Sequence, residues 1–492
     1  MRDRVFQVSL PASLAIQPSG PRRGRAKTLN HLMVLAALTG CNGHPLAPLE
    51  DDLVATRRQE FVLAARPAVD FLFVVDASGS MVHEQATLAR NMADFADYFV
   101  GTQGAFDFRI AVTTPDLSVE APGHFVTGAA PAPAPGQAPS PIDLAECAAL
   151  EAAGLLGPVL APDALEEACA EDTDADGCLR AELARRFQCL AVRGATGNGI
   201  ERGLEAMRQA LSCGGPNRAL FGECCDSGTY DPACQPTRAP DFLRPEARLV
   251  VVIVSDEDDC SEVPNSTLSQ EDQRDCLWQR DQLVPVADYV RFLRSLKAQP
   301  QEQVLVATVV GHDVFTEADA LPTYAPGVPP LGCDANQPGT YDPSLTLEQC
   351  CPGGVCLGGA RVVCPGTGAA AGTRYLELAR TLGGLGCPAG AEGTAGCLSV
   401  CSDDFAGPVQ QILDAARQQR FCLDRRPACT ADAACDALQV SVIEDEVRRI
   451  LPPEGVVYDP AALDCGSGAA VSLATPPLPG ARIIVDYRVE TP

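Results

Sequence analysis

Lysine and histidine are scarce in this 492-residue chain. Only two of its 37 lysine and arginine residues are lysine, five histidines occur, and 64 acidic side chains bring the formal net charge to −27. A strongly acidic protein repels nucleic acid and anionic lipid headgroups. We therefore expect no nucleic-acid partner. The acidic residues are spread along the chain, which favours solubility rather than one acidic binding patch.

Familiar catalytic motifs are also missing. The sequence has no Gly-x-Ser-x-Gly elbow, no P-loop and no His-Glu-x-x-His motif, which excludes the common forms of serine hydrolase, P-loop nucleotide hydrolase and zinc protease. The remaining hydrolase interpretation has Ser78 or Ser80 as nucleophile and His83 as base. A lone histidine on the first turn of a helix is usually a surface residue, so we expect no enzymatic activity.

No stretch of the chain is apolar over a length that would span a bilayer. A basic segment at 22–27 precedes the short apolar run 31–38, which closes on Leu-Thr-Gly-Cys41. An apolar run of this length indicates a signal segment rather than a transmembrane helix. The closing residues resemble a bacterial lipobox, which implies a lipid on Cys41. A simple secretory signal with a chance cysteine is the alternative.

The lipobox resemblance predicts a place for the protein in the cell. We expect an exported protein of a bacterial cell envelope that is held to the membrane by its lipid anchor. Asn42 stands after Cys41, where an aspartate is often associated with retention at the inner membrane. The prediction is therefore the outer membrane.

Cysteine, by contrast, is abundant. The chain has 23 cysteines, and an even number remains once Cys41 is set aside. An even number in an exported chain predicts a disulfide framework. Zinc is the competing interpretation for the cluster Cys350, Cys351 and Cys356. Few histidines and the absence of paired Cys-x-x-Cys motifs favour disulfides, whose pairing the sequence leaves open.

The most informative stretch runs from Phe71 to Met81. Five apolar residues predict a buried parallel strand, and Asp76, Ser78 and Ser80 follow it at two-residue spacing. One carboxylate and two hydroxyls on a tight loop are hard oxygen donors, the ligands that divalent cations such as Mg²⁺ and Ca²⁺ prefer. In open α/β sheets such sites lie at the carboxyl ends of the strands. The alternative is a Ser-rich turn that caps the next helix.

This stretch resembles the Asp-x-Ser-x-Ser motif of von Willebrand factor type A (vWA) domains. The resemblance implies an α/β fold with a mostly parallel sheet and helices on both faces. It also implies a metal-ion-dependent adhesion site that binds a divalent cation, with Mg²⁺ expected and Mn²⁺ or Ca²⁺ as alternatives. A protein partner would complete the coordination of the ion with an Asp or Glu. The second hypothesis is a structural or assembly lipoprotein whose metal site is vestigial or purely stabilising.

The same resemblance implies two further ligand loops. Asp256 follows the apolar run Leu249 to Val254, and parallel strands end at one edge of a sheet, so we expect it beside Asp76. The other loop normally supplies a threonine. Here Asn198 falls at that position and Thr196 lies two residues away, so the third ligand is either of these or neither.

A second candidate for calcium lies further along the chain. Asp172, Asp174 and Asp176 have the spacing that begins an EF-hand loop. The glutamate expected at position 12 is missing because Leu183 stands there. The segment is therefore either a second calcium site or a polar surface loop between two cysteines.

Alternating apolar strands and amphipathic helices give the domain organisation. Beyond Phe421 the pattern changes to alternating apolar residues typical of β-strands. We expect a signal segment at 1–40, a tether at 41–66, a vWA-like domain at 67–420 with insertions near 115–190, 212–246 and 313–372, and a small disulfide-braced β-rich module at 421–492.

Overall fold

The structure is a computed structural model. It describes residues 55–63, 67–100, 107–116, 122–133, 139–194, 197, 200–226, 228–268, 276, 279–311, 323–325, 331, 349, 355–357, 371–386, 398–400, 405–417, 420–429, 435–460, 467, 469–475, 477 and 480–489. The predicted signal segment, Cys41 and most of the predicted insertion at 313–372 lie outside these residues.

The described strands are β1 (Ala55–Val62), β2 (Ala68–Val75), β3 (Asp107–Thr113), β4 (Cys225–Asp226), β5 (Thr229–Tyr230), β6 (Arg248–Ser255), β7 (Val304–Val310), β8 (Thr323–Ala325), β9 (Val355–Leu357), β10 (Arg420–Cys422), β11 (Leu438–Glu444), β12 (Val447–Ile450), β13 (Val456–Asp459), β14 (Ala470–Leu473) and β15 (Arg482–Val489). The described helices are α1 (Val82–Arg90), α2 (Met92–Val100), α3 (Leu144–Ala152), α4 (Pro162–Ala168), α5 (Ala175–Ala191), α6 (Gly203–Leu211), α7 (Val286–Ser295), α8 (Pro300–Gln303), α9 (Thr373–Thr381) and α10 (Ala406–Arg417). Within the described part of the chain, no helix has the length and apolar character needed to cross a membrane.

A four-stranded parallel sheet lies at the centre, in the order β3-β2-β6-β7. Every pairing in it is parallel and in continuous register, with Val75 of β2 opposite Val254 of β6. Strands β2 and β6 read as apolar runs because both of their faces are covered. The predicted parallel sheet is confirmed, and its two central strands are the ones that precede Asp76 and Asp256.

The two faces of β2 enter two separate cores. Phe71 and Phe73 pack with side chains of α1, α2, α5 and α10, whereas Leu72 and Val74 pack with side chains of α6, α7 and α9. This division follows from the strand geometry, in which successive side chains point to opposite faces. Helices on both faces of the sheet, as expected from the sequence, are confirmed.

The insertion predicted near 115–190 is partly core. Phe187 of α5 lies 4.8 Å from Phe73 and 4.6 Å from Phe95, measured between ring centroids. Helix α5 is therefore one of the layers that cover the sheet. Disulfide bonds hold the residues around α5, the insertion near 212–246 and two further loops, which confirms the disulfide interpretation for these cysteines. The bonds are Cys147–Cys189, Cys169–Cys178, Cys213–Cys225, Cys224–Cys234, Cys260–Cys276 and Cys429–Cys435.

The C-terminal residues form the predicted β-rich module, with two antiparallel sheets in the orders β1-β15-β11-β12 and β10-β14-β13. Strand β1 pairs with β15 along its whole length, and Phe61 lies 4.9 Å from Phe421 between ring centroids. The predicted tether at 41–66 thus contains a strand of this module. Strand β1 lies at the edge of its sheet, so its side chains are exposed or half-buried and most of them are polar. For this reason the sequence of β1 resembles a polar linker.

The buried charges of Arg244 and Asp70 are paired at the amino end of the central sheet. Arg244 and Asp70 are both buried, and Nε of Arg244 lies 2.9 Å from Oδ1 of Asp70. Nη1 of Arg244 lies 2.8 Å from Oδ2 of Asp107 on the neighbouring strand β3. The backbone carbonyl of Arg244 accepts a hydrogen bond from Lys297. Because each charge has a partner, burial here is compatible with stability.

Replacing Arg244 with methionine should lower the free energy of unfolding of the full chain by about 3–5 kcal/mol, because Asp70 would stay buried without its partner. Equilibrium urea denaturation measures the change. The matched control is Arg238→Met, because the Arg238 side chain is 88% exposed and its pair with Asp241 is loose, at 4.0 Å. This control should change the free energy of unfolding by no more than about 0.5 kcal/mol. Equal effects of the two substitutions would contradict the structural role of the Asp70–Arg244 pair.

Candidate functional site

The candidate site lies at the carboxyl edge of the central sheet, where β2 and β6 end side by side. The backbone amide of Asp76 donates to the carbonyl of Val254 at 2.9 Å, so pairing of the strands continues one residue into the loop. The loop after β2 and the loop after β6 therefore start from neighbouring points. The structure brings Asp76 and Asp256 to one edge, as their positions after buried strands predict.

The Asp76 loop is held by its own hydrogen bonds. The amide of Ser78 donates to Oδ1 of Asp76 at 2.7 Å, and the hydroxyl of Ser255 donates to Oδ2 at 2.6 Å. The side-chain amide of Gln85 on α1 donates to the backbone carbonyl of Asp76 at 2.6 Å. Burial raises the pKa of Asp76, and the hydrogen bonds from Ser255 and Ser78 offset part of that effect.

The two serines of the motif lie at the boundary between this buried carboxylate and solvent. Ser78 is buried and Ser80 is exposed, and their hydroxyl oxygens are 3.0 Å apart. One cation can contact two hydroxyls at that separation. The serine arrangement is thus compatible with the predicted metal site.

Asp256 is buried without a hydrogen-bond partner. Both of its carboxylate oxygens are inaccessible and have no partner among the described residues. The hydroxyl of Ser80 comes close enough to lower the pKa of Asp256 in part, although outside hydrogen-bonding geometry. Burial first, and then the charge of Asp76, raise the pKa of Asp256 to about 8.

Glu201 is a third carboxylate at this edge, and sequence reasoning missed it. Its side chain is 1% exposed, and no donor among the described residues reaches either carboxylate oxygen, although the carboxyl group of Asp76 is close enough to share a hydrogen bond with it. Burial raises the pKa of Glu201 well above its ordinary value, and the nearby charges of Asp76, Glu257 and Asp256 raise it further. The contact between the two carboxyl groups makes Glu201 and Asp76 close neighbours.

A signal for Glu201 was present in the sequence. Glu201 lies two residues before Gly203, where the amphipathic helix α6 begins. A charged residue next to the apolar face of a helix is a candidate for a functional role. The family resemblance instead implies a threonine ligand in this loop, for which Thr196 and Asn198 are the candidates. Both of these residues lie outside the described residues, and their assignment as ligands stays a prediction.

Gly197, which lies between those two candidates in sequence, is described and touches the Asp76 loop. Its amide donates to the carbonyl of Ala77 at 2.7 Å. A Cβ atom on Gly197 would lie 2.7 Å from that same oxygen, closer than real Cβ atoms come to backbone. Glycine is therefore required for this close approach of the third loop to the first.

Asp258 and Asp259, which also follow β6, are paired, in contrast to Asp256. Asp258 accepts from the hydroxyl of Thr373 and the amide of Arg374, and Asp259 lies 3.0 Å from Nε of Arg374. Asp259 also accepts from the amide of Leu204 at the start of α6. These two aspartates connect the loop to α6 and α9, so they stabilise the edge of the sheet and are not solvated.

The EF-hand-like segment forms a helix cap, and its assignment as a second calcium site stays a prediction. Asp174 caps helix α5 by accepting from the amide of Gly177 at 3.1 Å, and Asp172 accepts from the amide of Asp174. The helix begins at Ala175, within the span that would have to wrap a calcium ion. Asp172, Asp174 and Asp176 are exposed, and they form the turn and first residues of a capped helix.

The described residues fit a divalent cation through carboxylates and hydroxyls together. A grouping of three or more His, Cys, Asp or Glu side chains in metal-binding geometry is absent from the described residues. The site instead combines Asp76 and Asp256 with the hydroxyls of Ser78 and Ser80. The unpartnered oxygens of Asp256 are the observation that meets the requirement of a cation for free, hard oxygen donors.

Comparison with known proteins assigns no family. No protein-family model and no curated protein matches the chain. Similar solved structures include von Willebrand factor type A from Catenulispora acidiphila, at 8% identity, 88% coverage of this chain, 65% of that chain and a TM-score of 0.25. They also include the pilus adhesin SpaC from Lactobacillus rhamnosus GG, at 9% identity, 89% coverage of this chain, 41% of that chain and a TM-score of 0.27. A third is the human COPII-coat protein Sec24c, at 9% identity, 88% coverage of this chain, 42% of that chain and a TM-score of 0.28. This chain therefore spans less than two thirds of each of them, and at these TM-scores the fold assignment rests on the sheet topology alone.

In the presence of a chelator, the stability of the protein should fall as pH rises. The pKa of Asp256 is raised in the folded state, so the folded protein binds this proton more tightly than the unfolded chain does. The resulting contribution of Asp256 to the free energy of unfolding is complete below about pH 4 and is lost as the pH rises through about 8. Asp256→Asn should remove part of this fall and should stabilise the chelated protein by about 1–3 kcal/mol at high pH. Melting temperatures in EDTA from about pH 5 to about pH 9 measure both effects. Asp172→Asn is the control, and a wild-type slope in Asp256→Asn would contradict the prediction.

Proposed function

We propose that the protein is an exported bacterial cell-envelope lipoprotein whose vWA-like domain binds a protein partner through a divalent cation. Mg²⁺ is the expected ion, with Mn²⁺ and Ca²⁺ as alternatives. Asp76, Ser78, Ser80 and Asp256 hold the ion, and Asn198 or Thr196 are the further candidates from the third loop.

The observation that carries this proposal is the pair of unpartnered, buried oxygens of Asp256 beside Asp76. Burying a carboxylate without a partner costs several kcal/mol. Elsewhere the same chain avoids this cost, since Arg244 pairs with Asp70 and Arg374 pairs with Asp259. A bound cation is the compensation that fits the carboxyl edge of the sheet.

Access from solvent supports a role in binding a partner. Gly79 and Ser80 are exposed while Asp76 below them is fully buried. A cation held by this loop would be open on the side of Ser80 and closed on the side of the sheet. An Asp or Glu of a partner would approach from that open side, and a locally basic surround on the partner would suit the acidic surface of this chain.

The disulfides support export. Six disulfide bonds are present among the described residues, and disulfides persist mainly in oxidising compartments outside the cytosol. The lipid on Cys41 and the outer-membrane location remain parts of the proposal that rest on the lipobox resemblance.

The second candidate function is a structural or assembly lipoprotein in which the ion only stabilises the sheet edge. The burial of both Asp76 and Asp256 favours this alternative, because a cation enclosed by carboxylates of its own chain has less need of an external one. We also propose that the protein is not a hydrolase. His83 is exposed on the first turn of α1, whereas Ser78 is buried and contacts Ser80.

Asp76→Asn should reduce the affinity for Mg²⁺ or Mn²⁺ by about 100-fold or more, because it removes the only carboxylate of the motif. Isothermal titration calorimetry on the full chain measures this change. The control is Asp172→Asn, which removes an equal charge from the exposed turn and should bind the ion as wild type does. Equal binding by Asp76→Asn and wild type would contradict the site, and no binding by either would favour a vestigial one.

Partner capture should depend on both the ion and Asp76. Wild-type protein immobilised in Mg²⁺ should retain a protein from envelope extract, and EDTA or the Asp76→Asn substitution should release it. The Asp172→Asn control should behave as wild type does. Capture that persists in EDTA would contradict partner binding through the cation, and ion binding without any capture would favour the stabilising role.

A further inference from the structure

We propose that one exposed sheet face of the C-terminal module docks on the surface of an anionic phospholipid bilayer. We call it the basic face. It is the outward side of the sheet β1-β15-β11-β12, and its charged residues are Arg58, Glu60, Arg448, Arg482, Asp486 and Arg488. This inference rests on the proposed lipid anchor at Cys41, and it adds the orientation of the protein on the membrane.

The strand register separates the two faces of this sheet. Successive residues of a strand point to opposite faces, and directly opposed residues of antiparallel strands point to the same face. Ile483, Val485 and Tyr487 of β15 are buried in the core of the module. The residues that alternate with these three, and the residues opposite that alternating set on the other strands, therefore form the basic face.

The charge of the basic face is opposite to that of the whole chain. Its four arginine side chains are all exposed and outnumber its two acidic ones, whereas the chain carries a net charge of −27. Anionic lipid therefore repels most of the molecular surface and attracts this face. Repulsion and attraction favour the same orientation, with the basic face on the bilayer.

The ion pairs on the face leave its arginines available to phosphate oxygens. Asp486 is shared by two arginines, with its oxygens 2.6 Å from Nε of Arg58 and 3.3 Å from Nη2 of Arg448. The pairs Arg482–Glu60 and Arg488–Asp436 are about half exposed, with distances of 3.1 Å and 3.5 Å. Ion pairs this exposed contribute little to stability, so an arginine exchanges such a partner for a lipid phosphate at little cost.

Two aliphatic side chains add an apolar contribution to the same face. Val62 and Ile450 are 69% and 57% exposed, and they lie on β1 and β12 at the two edges of the sheet. Aliphatic groups beside arginines suit the boundary between headgroups and acyl chains, where apolar groups leave water while the guanidinium groups stay at the phosphates.

The chain length between the proposed anchor and the sheet brings the face to the membrane. Thirteen residues lie between Cys41 and Ala55, where β1 begins, and a chain of that length spans at most about 50 Å. A lipid on Cys41 therefore gives the face a high effective concentration at the bilayer.

The module is attached at the amino edge of the central sheet. Strand β1 leads into the amino end of β2, and Arg248 at the start of β6 donates to the carbonyls of Ala415 and Ala416 at the end of α10, just before β10. The candidate cation site lies at the opposite edge. With the module on the membrane, that site is presented to a partner away from the bilayer.

The experiment measures co-flotation of the full chain, at low salt, with vesicles of phosphatidylcholine alone or mixed with an equimolar amount of phosphatidylglycerol. Wild type should bind the anionic vesicles, and the binding should weaken as salt rises. The double substitution Arg482→Gln with Arg488→Gln should weaken it by at least about fivefold. Ile450→Asn, which changes no charge, should weaken it by at least about threefold.

The matched control is the double substitution Arg238→Gln with Arg291→Gln, because these side chains are 88% and 71% exposed and lie outside the module. It removes the same charge and should change the binding by less than about twofold. The basic segment at 22–27 is the same in all of these proteins, so its own contribution cancels. Both double variants should melt at the temperature of wild type, since exposed ion pairs contribute little to stability.

Equal binding by the two double variants, or no binding of wild type to anionic vesicles, would overturn the docking of the basic face. Dimers of wild type without lipid that Arg482→Gln with Arg488→Gln abolishes would assign the face to a second copy and would also overturn it. Vesicle binding should be the same in Mn²⁺ and in EDTA, so it is tested independently of the cation site. Mass spectrometry of the membrane-bound chain tests the lipid separately, and an unmodified Cys41 would overturn the lipoprotein proposal itself.

Discussion

Uncompensated negative charge at the carboxyl edge of the central sheet is the constraint on which the account of this protein depends. Asp76, Asp256 and Glu201 are all buried there, and no basic side chain among the described residues pairs with the last two. Elsewhere the same chain pairs buried carboxylates with arginines, as Asp70 with Arg244 and Asp259 with Arg374. The contrast within one molecule favours a missing positive charge over a general tolerance of buried acids.

The fold explains why these charges meet. Continuous apolar strands, covered on both faces by helices, end at one edge, and the residues after β2 and β6 have no further sheet to pair with. The opposite edge is closed by the Asp70–Arg244 pair. The disulfide of Cys260 and the close approach of Gly197 to Ala77 bring the remaining loops to the same place. Stability is thus concentrated at one end of the sheet, and the chemistry at the other.

Much of this arrangement was accessible from sequence, and the exceptions have physical causes. The strands ending at Asp76 and Asp256 were predictable because long apolar runs in a chain of alternating elements indicate a parallel sheet. Strand β1 was missed because an edge strand with exposed arginines resembles a linker. Glu201 was missed because family resemblance directs the search to residue type, and burial of a single glutamate before a helix is a property of the folded chain.

The most direct test of the cation site is anomalous diffraction from crystals of the full chain soaked in Mn²⁺. One anomalous peak is expected at the carboxyl edge of the central sheet, in contact with Asp76 and Asp256, and no peak is expected in Asp76→Asn crystals treated in the same way. Wild-type crystals with no peak at this edge, or with a peak only at the exposed turn of Asp172, would contradict the cation site.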